Sequence, residues 1–281
     1  MNTLETLKND FINLGITQGD TVLIRGNLGK VGRIKKEIFL KSLLDVVGPN
    51  GTIVTLGFTK AFPFYKVDKD FIFDLQTKPN TGALGSIFLN HPQAQRSCHP
   101  TNSYIAIGKN AQYILENHDE NSLIYDPMKK LIELNAKMLI FGIIEDSPGF
   151  TTVHLAQQEL GLTKKSFFKG FFRVLYKNKH DEIKLFKKND VGGCSAGFGK
   201  FYSHYLSHNV LKIGKIGKSM ALSINSRDSY QIEYDLLKND NSFHLCDNPL
   251  CLSCRCTWKY NLKYLPNFII LKLINIIKGN K

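Results

Sequence analysis

A strand–loop–helix–turn–strand order near the N-terminus constrains the fold more than any other feature of the chain. The apolar segments 21–24 and 52–56 have the length of buried strands. Between them lie a glycine-rich loop at 26–33, an amphipathic segment at 34–47 and a Pro49-Asn50-Gly51 turn. This order predicts a βαβ unit, in which two neighbouring parallel strands are joined by a helix.

The rest of the chain continues to alternate between helical and strand-like segments. Further helices are predicted at 3–14, 82–88, 111–117, 128–134, 198–206 and 229–238, and further strands at 104–107, 138–141, 210–217 and 220–224. Residues 57–80 are irregular and aromatic, whereas 167–191 indicate a hairpin or meander. We predict one α/β mixed domain over 1–260, with a βαβ half and a β-rich C-terminal part, followed by a basic apolar tail at 261–281.

Charge and apolar patterning exclude two classes of protein. The 281-residue chain has a net charge of +13, but it contains no block of five or six basic residues and no nucleic-acid-binding motif, so nucleic acid is not a predicted partner. No apolar run approaches the roughly 20 residues of a membrane span, and the N-terminus lacks the pattern of a signal peptide. We expect a cytoplasmic protein. Its basic surface is either simply solvated or suited to an anionic ligand such as a nucleotide cofactor, a phosphorylated sugar or a membrane surface.

The glycine-rich loop is the first candidate binding element. It runs Gly26-Asn27-Leu28-Gly29-Lys30-Val31-Gly32-Arg33 and matches neither a P-loop nor the G-x-G-x-x-G fingerprint. A loop of this kind between a strand and a helix offers backbone N–H groups and a positive helix end, both of which suit a pyrophosphate. A tight turn on a basic surface is the alternative, and composition leaves both open.

His154 is the candidate catalytic residue. It follows an apolar strand and an acidic loop containing Pro148 and Gly149, and it falls in the first turn of a predicted helix. Sites in α/β folds form where strands end and helices begin. The positive helix end disfavours an imidazolium, so His154 is predicted to stay neutral and able to accept a proton. A purely structural histidine is the alternative.

A small polar cluster precedes the strand at 104–107. His99 lies among Ser97, Thr101, Asn102 and Ser103. Such side chains are suited to hydrogen-bonding the amide arm of a cofactor. A histidine that only stabilises a turn is the alternative.

Four of the six cysteines crowd into residues 246–256. The spacing Cys246-x4-Cys251-x2-Cys254-x-Cys256 allows a structural zinc with His244 as a further ligand, but its last step is too short for the plant-type iron–sulfur pattern. We favour a plain thiol cluster and assign no metal ligand from the sequence.

The segment 264–278 is short, apolar and basic. It is compatible with an amphipathic helix that lies peripherally on the inner face of a membrane. Packing on its own domain, or on a second subunit in a homodimer, is the more common use of such a tail.

Eight short segments carry a family resemblance when they are taken together and in order. They are Leu14–Leu23, 26–33, Val47–Val54, Thr81–Leu84, Arg96–Ser103, Asp126–Pro127, Thr151–Ala156 and Phe243–Cys251. On these segments the chain resembles the aminoglycoside 3-N-acetyltransferase family over roughly residues 8–256. The pyrophosphate motif of the other large acetyltransferase fold, Q/R-x-x-G-x-G/A, is only partly present at 158–163.

The resemblance implies transfer of an acetyl or other acyl group from acetyl-CoA to an amine by direct attack. It implies that the βαβ half binds the cofactor, with 26–31 cradling the CoA pyrophosphate and Ser97–Ser103 helping to hold it. The family's catalytic histidine corresponds to His154, and we include Thr151, in the same segment, among the candidate catalytic residues. An alkylammonium is not a nucleophile, so a neutral His154 would take its proton while backbone N–H groups stabilise the oxyanion.

One departure from the family pattern concerns the partner of the histidine. The family usually has His-x-x-Glu, whereas this chain has Gln157, which can hydrogen-bond an imidazole but brings no negative charge. Asp146 in the preceding loop matches the family's aspartate, although this loop is about two residues longer. We predict that Asp146 supplies the missing charge in preference to Glu145 or Glu159, because Glu159 lies about 140° round the helix from His154.

The acceptor is left open between two chemistries. Aminoglycosides are polycations, whereas this chain is basic and its 57–80 segment mixes aspartates with lysines. The charge therefore favours an amino sugar carried on a nucleotide or lipid phosphate over an aminoglycoside antibiotic. A non-catalytic acyl-CoA-binding protein is a further alternative, because the charged partner of the histidine is replaced.

Overall fold

The order of elements is given by a computed structural model that describes residues 2–163, 166, 169–189, 193–254 and 264–277. The helices are α1 (Leu4–Asn13), α2 (Lys36–Val47), α3 (Gly82–Leu89), α4 (Ala111–Leu115), α5 (Asp126–Glu133), α6 (Thr152–Glu159), α7 (Phe201–Ser207), α8 (Ser226–Asn239) and α9 (Tyr264–Ile277), with 3₁₀ turns at Leu28–Val31 and Phe198–Lys200. The strands are β1 (Thr21–Gly26), β2 (Thr52–Leu56), β3 (Phe62–Pro63), β4 (Ile72–Phe73), β5 (Gln95–Arg96), β6 (Tyr104–Gly108), β7 (Lys137–Phe141), β8 (Phe172–Lys177), β9 (Ile183–Lys187), β10 (Lys212–Ile216) and β11 (Ser219–Asn225).

A mixed sheet forms the centre of the domain, with the strand order β10-β11-β7-β1-β2-β6-β5 in the described part of the chain. Strand β1 pairs in parallel with β2 and with β7, whereas the outer pairs are antiparallel. The predicted βαβ unit is confirmed, because β1, α2 and β2 follow one another and the two strands are parallel neighbours. The carboxyl ends of β7, β1 and β2 therefore meet at one edge of the sheet.

Helices cover both faces of this sheet. Successive side chains of a strand point to opposite faces, so Val22 and Ile24 pack with α1 and α2, whereas Leu23 packs with α5 and α6. Phe39 of α2 is fully buried on the first face and Met128 of α5 on the second. Burying one such side chain stabilises the fold by about 1.5–3 kcal/mol. Each face of the sheet thus has its own cluster of buried apolar residues. The predicted mixed α/β architecture is confirmed.

A small second sheet flanks the central one. The predicted hairpin is present as β8 and β9, and β3 and β4 pair with β8. The segment 57–80, which we expect to be irregular, thus contributes two strands. Each is only two residues long, too short to show the alternating pattern by which strands are recognised in a sequence.

The described part of the C-terminal tail, residues 264–277, is helical. Helix α9 exposes apolar side chains such as Ile269, Ile270 and Leu273, each about half accessible to solvent. None of the described helices combines the length and the apolar character that crossing a membrane would need. Contact of α9 with a membrane surface or with a second subunit stays a prediction.

Candidate functional site

A cavity of about 510 Å³ opens at the edge where β7, β1 and β2 end. It contains four of the residues singled out from the sequence, Gly26, Asn102, Thr151 and His154. The other described lining residues are Arg25, Thr55, Leu56, Phe58, Thr81, Leu84, Tyr125, Ile143, Ser147, Lys188, Gly193, Ser195 and Phe198. Parallel strands place their carboxyl ends together, and ligands bind there in open α/β sheets. The topology of the sheet thus explains why residues more than 100 positions apart share one cavity.

Aromatic rings hold the His154 imidazole in place. The ring of Tyr125 stacks on it at 4.7 Å between centroids with an interplanar angle of 13°, and Phe198 packs edge-on at 4.9 Å. His154 lies in the first turn of α6, which begins at Thr152 after the loop that follows β7. The imidazole is therefore fixed in orientation, with one edge directed along α6.

Gln157 is the hydrogen-bond partner of His154 on that edge. Its Oε1 lies 2.9 Å from Nδ1 of His154, and its side chain is fully buried. Because an amide oxygen only accepts hydrogen bonds, Nδ1 donates, and the neutral ring carries its lone pair on Nε2. The amide thus selects the tautomer in which Nε2 is the basic atom.

The environment keeps His154 neutral. Burial lowers its pKa to about 4, the hydrogen bond to Gln157 raises it in part, and the positive charge of Arg25 lowers it further. This agrees with the neutral state predicted from the sequence. The physical causes, however, are burial and a nearby guanidinium, whereas the sequence suggested the positive end of the helix.

Thr151 places a hydroxyl beside His154. It occupies the N-cap position of α6 and lines the cavity, and its Oγ1 is buried without a hydrogen-bond partner among the described residues. A buried polar atom without a partner costs roughly 1–3 kcal/mol. A bound molecule that accepts or donates a hydrogen bond at this point would recover that energy.

Arg25 is a site residue that sequence reasoning missed. Its guanidinium donates to the backbone O of Gly149 at 3.2 Å and to Oγ of Ser147 at 2.8 Å, and burial lowers its pKa. The sequence feature that could have identified it is a charged residue at the carboxyl end of an otherwise apolar strand. No carboxylate belongs to the described cavity lining, so Arg25 and Lys188 make that lining electropositive.

The glycine-rich loop is an ordered turn beside the cavity. The N–H of Gly29 donates to Oδ1 of Asn27 at 2.9 Å, and the N–H of Lys30 donates to the O of Asn27 at 3.1 Å. Leu28 and Val31 are buried in the core, and a Cβ at position 26 would come within 2.4 Å of the Phe141 ring. Gly26 is the residue of 26–31 that reaches the described cavity lining, and CoA binding by the loop stays a prediction.

Asp146 binds a lysine of that loop. Its Oδ2 accepts from Nζ of Lys30 at 2.7 Å, and both side chains are more than half exposed. The charges that act on the His154 pKa include that of Arg25 but not that of Asp146. A role for Asp146 in charging the histidine stays a prediction, whereas its contact with the candidate CoA loop is direct.

The polar cluster at 97–103 is occupied by internal hydrogen bonds. His99 is buried and its Nδ1 accepts from the backbone N–H of Thr101 and of Asn102, at 3.3 and 3.0 Å. The Oγ of Ser97 accepts from the N–H of Tyr104, and the Oγ of Ser103 donates to the O of Gly57. These side chains shape the turn that carries Asn102 into the cavity lining, and their contact with a cofactor stays a prediction.

Comparisons with known proteins give a consistent result. Residues 24–238 match the model of the aminoglycoside 3-N-acetyltransferase family. Aminoglycoside N(3)-acetyltransferase III of Serratia marcescens is 27% identical over 175 residues, which cover 56% of this chain and 64% of that relative's own length.

Solved structures share the fold. A histidine-to-alanine mutant of aminoglycoside acetyltransferase AAC(3)-IVa in complex with a gentamicin superposes with a TM-score of 0.76 at 22% identity, over 92% of this chain and 96% of that one. AAC-IIIb in a binary complex with CoASH gives a TM-score of 0.69 at 22% identity, over 85% and 97% of the two chains. Because the family model spans more than half of the residues, the chain belongs to the aminoglycoside 3-N-acetyltransferase family.

Proposed function

We propose that the protein transfers an acetyl group from acetyl-CoA to an amino group of an aminoglycoside, with His154 as the general base. The observation that carries this proposal is a neutral histidine whose tautomer is fixed by Gln157, at the carboxyl edge of the sheet in a chain of this family. Relatives are named for aminoglycoside acetylation, and one solved neighbour binds CoASH. These names support the donor and the acceptor class.

His154 performs the proton transfers in the proposed reaction. Acetyl-CoA supplies an acyl carbonyl that is activated as a thioester. His154 removes a proton from the ammonium group through Nε2, so that the nitrogen lone pair can form the new C–N bond. The C–S bond then breaks, His154 returns its proton to the departing sulfur, and the second proton of the nitrogen leaves to solvent, which gives the amide and free CoA thiol. Nδ1 keeps its hydrogen bond to Gln157 throughout, which holds the ring in position.

Thr151 is the proposed donor to the carbonyl oxygen. Its Oγ1 lacks a partner among the described residues, and it lies three positions before His154 on the same wall of the cavity. A hydroxyl that is already in place costs little reorganisation when negative charge develops on that oxygen. Arg25 is held by Ser147 and Gly149 and adds positive potential to the same cavity.

We propose that CoA binds to the residues that the family resemblance implies. The 26–31 loop would hold the pyrophosphate beside Lys30, and the Ser97–Ser103 turn, which precedes β6, would support the cofactor. The basic charge of the chain is compatible with an anionic donor.

For the acceptor, the comparisons support an aminoglycoside better than the amino sugar on a phosphate carrier that the charge of the sequence favours. One observation supports the amino sugar on a phosphate carrier as the second candidate. The described lining of the His154 cavity contains Arg25 and Lys188 but no carboxylate. A polycation gains nothing from such a lining, whereas a phosphate-bearing amino sugar does.

The test is release of free CoA thiol from acetyl-CoA with two acceptor sets, kanamycin-type drugs and nucleotide-linked amino sugars. Turnover of the drugs supports the main proposal, and turnover of the nucleotide sugars alone transfers it to the second candidate. His154→Ala should lower kcat by roughly 10²–10⁴-fold while CoA still binds. His208→Ala, at an exposed histidine on the turn that ends α7, is the matched control. CoA binding without turnover of any amine would instead identify a non-catalytic acyl-CoA-binding protein.

A further inference from the structure

Four cysteines converge beside the wall of the cavity. The Sγ atoms of Cys194, Cys246, Cys251 and Cys254 all lie within 4.8 Å of one another. Three of them belong to the cysteine-rich segment noted in the sequence. The fourth, Cys194, comes from more than 50 positions earlier in the chain. Cys256, which the spacing suggested as a fourth member, lies outside the described residues.

The size of this group fits a single tetrahedral metal ion. Zinc binds thiolates at about 2.3 Å, so four sulfurs around it stand about 3.8 Å apart. The Sγ atoms of Cys246 and Cys254 are 3.5 Å apart, and 4.8 Å is the upper limit for every pair in the group. Two disulfides would bring the sulfurs together only in pairs, whereas here each sulfur lies near all three others.

Backbone groups already surround the sulfurs as they do in metal–thiolate sites. The N–H of Ala196 donates to Sγ of Cys194 at 3.4 Å, and the N–H of Cys246 donates to Sγ of Cys254 at 3.5 Å. Such N–H groups orient thiolate ligands and offset their negative charge. Cys246 and Cys254 are buried and the other two are partly buried, which also suits a closed structural site.

We propose that Cys194, Cys246, Cys251 and Cys254 bind one structural Zn²⁺ ion. Each thiol that coordinates the ion releases its proton to solvent. Because zinc in structural sites takes four ligands, the four cysteines complete its tetrahedral shell and leave no open position. The sequence alone favoured a plain thiol cluster and offered His244 as a further ligand for a zinc ion, whereas the group in the described residues contains Cys194 and not His244. The fold brings Cys194 into place.

The ion would fasten the wall of the His154 cavity to the C-terminal segment. Gly193 and Ser195, on either side of Cys194, line that cavity, and Phe198 packs on the imidazole. Gly197 lies against the segment that carries the other ligands, since a Cβ there would come within 2.3 Å of the O of His244. Loss of the ion is therefore expected to loosen this wall of the cavity and to raise KM for the amine.

The experiment measures the metal content of the purified full-length protein by elemental mass spectrometry. The expected result is about one zinc per chain in the wild type and near-complete loss in Cys194→Ser. Cys98→Ser, an exposed cysteine outside the group, is the matched control and should keep the metal. Cys256→Ser should also keep it, because the shell is complete without that residue.

A second measurement guards against a variant that fails to fold. Chelator should remove zinc from the wild type and lower its melting temperature, and added Zn²⁺ should restore both. Cobalt exchanged into the chelated protein should give the intense visible bands of tetrahedral cobalt–thiolate. The proposal is overturned by an intact mass that shows two disulfides, by failure of the chelated protein to rebind zinc, by iron as the bound metal, or by metal that survives in Cys194→Ser and is lost in Cys256→Ser.

Discussion

Replacement of Gln157 by glutamate tests the proposed role of His154 most directly. Gln157→Glu places a carboxylate where Oε1 now lies, 2.9 Å from Nδ1 of His154. A negative charge at this distance favours the imidazolium and raises a histidine pKa by about 1–3 units. Because Gln157 is fully buried, burial also penalises the new carboxylate, so we expect a shift near the lower end of that range.

The expected pH profile follows from the wild-type value. The pKa of His154 is about 4, and a shift of about one to two units brings it to roughly 5–6, which corresponds to about 1.4–2.8 kcal/mol. A general base acts in its deprotonated form, so the acid limb of kcat/KM should move upward with the pKa. Between the old and the new pKa the variant should be slower than the wild type. On the plateau above pH 7 it should be faster, because a stronger base transfers a proton more readily.

The assay is thiol release from acetyl-CoA at saturating donor, with kcat/KM for the amine measured across the acid range. Gln157→Leu is the matched control, since it removes the hydrogen-bond acceptor without adding charge. It should lower the plateau and should not move the acid limb upward. An unchanged acid limb in a folded Gln157→Glu protein would mean that His154 is not the group whose protonation limits the reaction.

Three further predictions concern charge and burial. Four histidines, His99, His118, His154 and His244, have a pKa lowered by burial, so the unfolded chain binds protons more tightly than the folded one below about pH 6.5. Each residue with a folded pKa near 4 should cost about 2 kcal/mol of stability at pH 5, and a melting temperature that is flat from pH 7 to 5 would contradict this. Burial raises the pKa of Glu233, which accepts a hydrogen bond from Thr152, so stability is lost as pH rises above about 4.5. Glu233→Gln should therefore gain melting temperature relative to the wild type as pH rises from 5 to 8, and a constant difference would show that the carboxyl group is ionised. Asp146→Asn removes an exposed ion pair with Lys30 and should cost less than about 1 kcal/mol of stability. If Asp146 is the charge partner of His154, as the sequence predicts, kcat should fall on the order of 10²-fold, whereas an unchanged kcat would restrict the role of Asp146 to its contact with Lys30.

The local parts of the fold follow from the sequence because they depend on neighbouring residues. The βαβ unit could be predicted because strand length, the glycine-rich loop and the Pro49–Gly51 turn all lie within 36 residues. Strands β3 and β4 could not, because two residues carry no periodicity and their pairing depends on the distant strand β8.

The site also has one part that follows from the local sequence and another that depends on the fold. His154 and Gln157 lie on consecutive turns of one helix, so their contact follows from helical spacing. Arg25, Tyr125 and Phe198 reach the same cavity only through the sheet order and the packing of separate helices. Cys194 joins the other cysteines for the same reason, since nothing near it in the chain marks it as a ligand.

The aromatic contacts of His154 have a consequence for regioselectivity. With Tyr125 stacked on one face and Phe198 packed at 63° to the ring, the imidazole cannot swing to follow a substrate. In a molecule with several amino groups, only the nitrogen that meets Nε2 along this fixed direction loses its proton. We therefore expect a single acetylated position on a polyamine acceptor, and a mixture of positional isomers when Phe198→Ala frees the ring.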